Sequence, residues 1–162
     1  MKGFTLVELI VAICIAMIVT GLILVNYNTY NDKQRVKQAA YTLKNDLRYI
    51  ETKASSGEKP QSGCDSLNGW KITFTSSSYS YQPDCSPSMA SPPIATVSLP
   101  SGLLFSPVPS PDSFLFKVLS QGTTLDSDIC ITLSDSVYTH KLRINTGGDI
   151  NDLGLNYVGV CP

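Results

Sequence analysis

The run Phe4–Val25, reading FTLVELIVAICIAMIVTGLILV with Glu8 as its only charge, constrains this chain more than any other feature. At about 1.5 Å per residue a helix over this run is roughly 33 Å long, enough to cross the hydrocarbon core of a bilayer. Only Met1, Lys2 and Gly3 precede it. Lys2 is the one base of this short leader, and the positive-inside tendency places this end in the cytoplasm and the bulk of the chain outside. A secretory signal peptide has a shorter apolar core followed by a small-residue cleavage site, which Asn26, Tyr27 and Asn28 do not offer, so the segment is expected to stay attached.

Glu8 is the anomaly within that run. A carboxylate in an apolar helix costs roughly 2.5 kcal/mol or more by insertion scales, so it predicts a function and a positive partner. The cations nearest in sequence are Lys2 and Lys33, and neither lies within the run. The plain alternative is a Glu near the interface that snorkels or stays protonated. Taken together, Gly3-Phe4-Thr5-Leu6-Val7-Glu8 running into an apolar helix resembles the processing and assembly signature of type IV pilins and of the pseudopilins of type II secretion. The resemblance implies that a membrane prepilin peptidase cuts between Gly3 and Phe4 and methylates the new amino terminus at Phe4. It further implies that Glu8 pairs with the terminal ammonium of a neighbouring subunit and sets the register of a filament. Phe4 and Glu8 also lie about one turn apart on one helix face, so a pair within one chain stays open as an alternative.

Beyond the run, Val36, Ala40, Leu43, Leu47, Ile50 and Ala54 recur at spacings of 4, 3, 4, 3, 4, an apolar helical stripe. It is short for a coiled-coil seam and is predicted to pack on the protein's own sheet, with the helix from Phe4 to about Ala54 ending near Gly57 and Pro60. Alternation at Trp70/Ile72/Phe74, Tyr79/Tyr81, Phe114/Phe116/Val118, Ile129/Ile131/Leu133 and Leu142/Ile144 predicts half-buried strands. Residues 83–111 hold eight of the ten prolines, and the stretch is expected to give only short edge strands at Ile94–Ser98 and Leu103–Phe105 within an ordered loop that buries Leu104 and Phe105. The fold class expected is α+β, a long amino-terminal helix packed on an antiparallel sheet: leader 1–3, membrane and assembly helix 4–25, amphipathic half 26–56, β-rich head 57–162. The carboxyl-terminal half resembles, more loosely, the head of H-type pseudopilins and minor pilins.

Charge and cysteine bound the function. The net charge is -1, and residues 26–59 carry seven Lys or Arg against four acids whereas residues 60–162 carry four against eight. That gives no basic field for nucleic acid; Lys141 and Arg143 are the only clustered bases of the head, and they carry the alternative of a DNA-binding tip pilin. Cys14 reads as a small apolar residue of the membrane helix. Cys64, Cys85, Cys130 and Cys161 lie on the oxidising side and allow three pairings; Cys64 with Cys85 and Cys130 with Cys161 are favoured, since the first would clip a hairpin and the second would tie the carboxyl end to a central strand. With no CxxC and a single His, no metal site or cofactor is expected. His140 reads as an exposed or cross-strand residue rather than a catalytic base, and Asp149, Asn151 and Asp152 after Gly147-Gly148 read as a turn between strands rather than a calcium loop. The expected protein is not an enzyme. It is a minor pilin or pseudopilin that resides in the inner membrane with its head outside before joining a periplasmic or extracellular filament. The resemblance implies partners in other pilin or pseudopilin subunits, the prepilin peptidase and an inner-membrane assembly platform.

Overall fold

A computed structural model describes residues 5–61, 63–87 and 95–159, with the backbone alone for residues 22–28 and 120. Backbone contacts divide the chain into two units, Met1–Gln34 and Arg35–Pro162. Helix α1, Leu6–Ser55, contributes to both. It stops where Gly57 takes a positive φ of 66°, while the Gly57 N–H bonds the Ala54 carbonyl and the Glu58 N–H that of Lys53, the paired bonds of a Schellman close.

Within the second unit the stripe Val36, Ala40, Leu43, Leu47, Ile50 and Ala54 is buried along its whole length. Each fully buried Leu or Ile is worth about 1.5–3 kcal/mol, which is why the period of the sequence and the packed face coincide. The stripe joins one continuous core with eight strands: β1 Ser66–Phe74, β2 Ser78–Ser86, β3 Ala95–Ser98, β4 Leu104–Phe105, β5 Ser113–Lys117, β6 Ile129–Ser134, β7 Thr139–Ile144 and β8 Ile150–Leu155. They form two antiparallel four-stranded sheets, ordered β3-β2-β1-β5 and β4-β6-β7-β8. Cross-strand partners such as Trp70 with Phe116, Ile72 with Phe114 and Ile131 with Leu142 put the alternating apolar residues on the core side.

The coarse α+β class agrees with this architecture, but the single sheet of the sequence reading becomes two. Alternation tells which face of a strand is buried and not which sheet it joins; a turn at Pro100–Leu103, with Gly102 at φ 85°, carries the chain from β3 in one sheet to β4 in the other. Three local expectations also change. Val118 is not the end of a strand: β5 stops at Lys117, and Val118–Ser120 forms a single 3-10 turn in which Leu119 has φ 56°. β2 continues through Pro83 to Ser86, with Pro83 opposite Trp70 of β1; among the described residues β3 pairs with β2 from Ser78 to Tyr81. Leu104 is 49% exposed while Leu103 and Phe105 are buried, since the period of two puts Leu104 on the opposite face from both. Ile94 lies outside the described residues.

Candidate functional site

Thr5 precedes the first turn of α1, and its Oγ1 accepts the Glu8 N–H at 3.4 Å. Glu8 lies in that first turn, where a carboxylate meets the positive end of the helix dipole. The flanking side chains Leu6, Val7, Leu9, Ile10, Val11, Ile13, Ile15, Met17, Ile18 and Val19 are exposed on every side of the helix. Among the described residues the Glu8 carboxylate has no partner, and Cys14 is free and exposed. Gly3 and Phe4, the expected processing residues, lie outside the described residues. Among the described residues no helix is long and apolar enough to cross a membrane; the side chains described within the apolar run end at Gly21, short of Val25.

The Arg35–Pro162 unit contains a polar cluster that the sequence reading did not assemble. His140 is 2% exposed, and its Nε2 lies 2.7 Å from Asp152 Oδ1, a bond that the ring donates to the carboxylate. Lys44 Nζ stands 3.7 Å from Asp152 Oδ2, and the Tyr41 ring meets the imidazole edge-on at 6.1 Å between centroids. Burial would raise the Asp152 carboxyl, but His140, the Gly154 N–H and Lys44 together outweigh it and hold the group below the usual carboxylate range. The expectation of a cross-strand His140 agrees with its pairing to Leu133 and Leu155, whereas exposure does not. The signal was present: His140, Leu142 and Ile144 share the period-two phase that faces the core. Among the described residues His140 Nδ1 is buried without a partner and no nucleophile is hydrogen-bonded to the ring; the cluster ties α1 to β7 and β8.

A second tie is the Tyr79 hydroxyl, which donates to Asp46 Oδ2; burial and this carboxylate push the phenol well above its ordinary value. Lys53 lies between the Tyr49 and Trp70 rings, 5.0 and 5.1 Å from their centroids, and pairs with Glu58, which raises its ammonium pKa. Asp149 is held in the turn before β8 by Asn145, whose amide donates to Asp149 Oδ2 at 2.7 Å, and this turn joins β7 to β8. Among the described residues no group of three His, Cys, Asp or Glu could hold a metal ion.

The candidate DNA contacts Lys141 and Arg143 share the opposite face of β7. Lys141 lies 5.8 Å from the Tyr157 ring centroid and Arg143 3.5 Å from Asp128, so each has a local partner. Cys64 and Cys85 form a disulfide that joins the segment two residues before β1 to the end of β2, the pairing favoured for the first hairpin. Cys130 is also disulfide-bonded, and Cys161 lies outside the described residues. What the fold and these contacts define is a class, an α+β protein whose amino-terminal helix is apolar at its start and core-packed at its end. No family model, curated protein or solved structure matches the chain.

Proposed function

We propose that the chain is a structural minor pilin or pseudopilin, a subunit that enters a type IV pilus or a type II secretion pseudopilus through its amino-terminal helix. The observation that supports this most is the start of α1, where apolar side chains from Leu6 to Val19 are exposed all round and Glu8 stands among them without a partner in the described residues. A helix that is apolar on every face is covered by lipid or by other helices, and a filament supplies the second after a membrane supplies the first. The buried carboxylate then needs a cation, and cleavage between Gly3 and Phe4 creates one at the new terminus. The subunit resides in the inner membrane with its head outside until the assembly platform transfers it to the filament. Mass spectrometry of the filament-associated protein tests the processing step: the expected chain begins at N-methylated Phe4, and retention of Met1 in assembled filaments overturns the peptidase reading.

A further inference from the structure

We infer that strand β3 and the turns of α1 beside it form a docking groove for an extended segment of another protein chain, which adds to the sheet as a further strand and sets an acidic side chain against Arg35. The groove lies wholly within the 35–162 unit, and the inference does not depend on the filament reading. β3 is the outer strand of the sheet β3-β2-β1-β5. The Leu99 N–H bonds the Ser77 carbonyl, so by the alternation of an antiparallel ladder Val97 and Ala95 also turn their backbone groups to β2, while Thr96 and Ser98 turn theirs outward. Among the described residues no backbone bond meets Thr96 or Ser98 from that side. The other three edges are closed or broken. The Leu115 carbonyl of β5 accepts the Thr124 N–H and the Lys117 N–H bonds the Gly122 carbonyl. The Phe105 N–H of β4 bonds the Ser76 carbonyl. β8 carries a bulge against β7, and its Gly154 N–H is held by Asp152 Oδ1.

A strand of four residues such as β3 can stay open simply because it is short. Here, however, the open edge borders a cleft of about 400 Å³ that Arg35, Gln38, Ala39 and Thr42 of α1 form with Val97 and Leu99. Ala39 is buried and Val97 and Leu99 are half-buried, which makes the floor apolar, while Gln38 and Thr42 stand exposed at the rim. An extended backbone satisfies both features. Its N–H and C=O groups recur with the period of two at which Thr96 and Ser98 present theirs, and its alternate side chains enter the cleft. A helix or an apolar small molecule would fill the cleft and leave those backbone groups covered but unpaired. Charge selects the acidic contact. Arg35 Nη2 donates to the Ser101 carbonyl just past the end of β3, and a guanidinium has donors enough to hold that carbonyl and a carboxylate together. Antiparallel addition, the more stable arrangement, puts the start of the incoming segment at this end.

The test titrates the full chain in detergent micelles with an acetylated peptide of alternating Val and Thr that begins with Glu, and reads affinity together with amide hydrogen exchange. The expected result is slowed exchange at the Thr96 and Ser98 N–H groups on binding. Ser98→Pro removes one outward donor and no bond to β2, so it should weaken binding at least about tenfold while the unfolding midpoint stays in place. The parent chain should prefer the Glu peptide to its Gln counterpart, and Arg35→Gln should erase that preference. No protection at either amide under a large excess of peptide overturns the groove, as does equal binding by a peptide N-methylated at alternate residues. Protection without preference for Glu overturns the contact with Arg35. Protection that rises with the concentration of the chain alone assigns the edge to a second copy and overturns the proposal as well.

Discussion

At the scale of single residues, Asp152 shows two opposed effects with a measurable balance. Its folded-state carboxyl is held below the ordinary value of 3.8, so the stability it contributes is present above that value and is lost as pH falls through the depressed one. Asp152→Asn keeps an oxygen acceptor for His140 but removes the charge, so the fall in melting temperature below about pH 4 should be shallower in the variant than in the parent. Asp152→Ala leaves the His140 ring buried with neither nitrogen partnered and should cost about 1–3 kcal/mol at neutral pH, read by denaturant titration. The Cys64–Cys85 bridge spans a sequence separation of 21, and loop-closure entropy puts its worth at about 3 kcal/mol. The double Ala variant should show that loss in unfolding free energy; an unchanged midpoint would remove the bridge from the account of the head's stability.

At the scale of elements, the helix was legible because its signal is redundant. Six positions at alternating spacings of 4 and 3 all fall on one buried face, so Leu43→Ala or Leu47→Ala should cost about 2–5 kcal/mol, whereas Tyr49→Ala on the outer face should cost clearly less. Equal losses at Leu47 and Tyr49 would contradict that orientation. The strands were legible as apolar alternations, and the edges of that legibility have physical causes. Val118 continues the alternation of Phe114 and Phe116, but the backbone leaves the ladder where Lys117 N–H bonds the Gly122 carbonyl, a tertiary closure that no local pattern encodes. Pro83 argues for a loop because proline interrupts ladders, yet β2 runs through it with Pro83 opposite Trp70 of β1, a tertiary pairing that no local pattern encodes. For His140 the sequence leaves exposure and a cross-strand place open, and the phase set by Leu142 and Ile144 accounts for the buried, cross-strand outcome. Its meeting with Lys44 and Asp152 depends on the packing of α1 against β7 and β8, which lies beyond any local reading.

At the scale of the whole molecule, charge and apolarity separate along the chain. The apolar start of α1 contains a single carboxylate, and residues 60–162 are acidic, with the only paired bases of that region, Lys141 and Arg143, occupied by Tyr157 and Asp128. Phosphate binding would appear as affinity that falls steeply with salt, so the chain in detergent should show no such binding to duplex DNA near physiological salt. Tight, salt-sensitive binding that Lys141→Ala with Arg143→Ala abolishes would favour the tip-pilin alternative instead. The central claim, that the subunit assembles through its amino-terminal helix, places its energetic weight on Glu8. A carboxylate among apolar side chains is costly when alone and compensated when bundling brings another subunit's terminal ammonium within reach. The direct measurement is competition: Glu8→Ala or Glu8→Gln co-expressed with the parent chain, and the ratio of the two read in purified filaments and in the membrane. The account predicts equal amounts in the membrane, equal cleavage, and marked depletion of the variant in filaments, while incorporation matching the parent would contradict it.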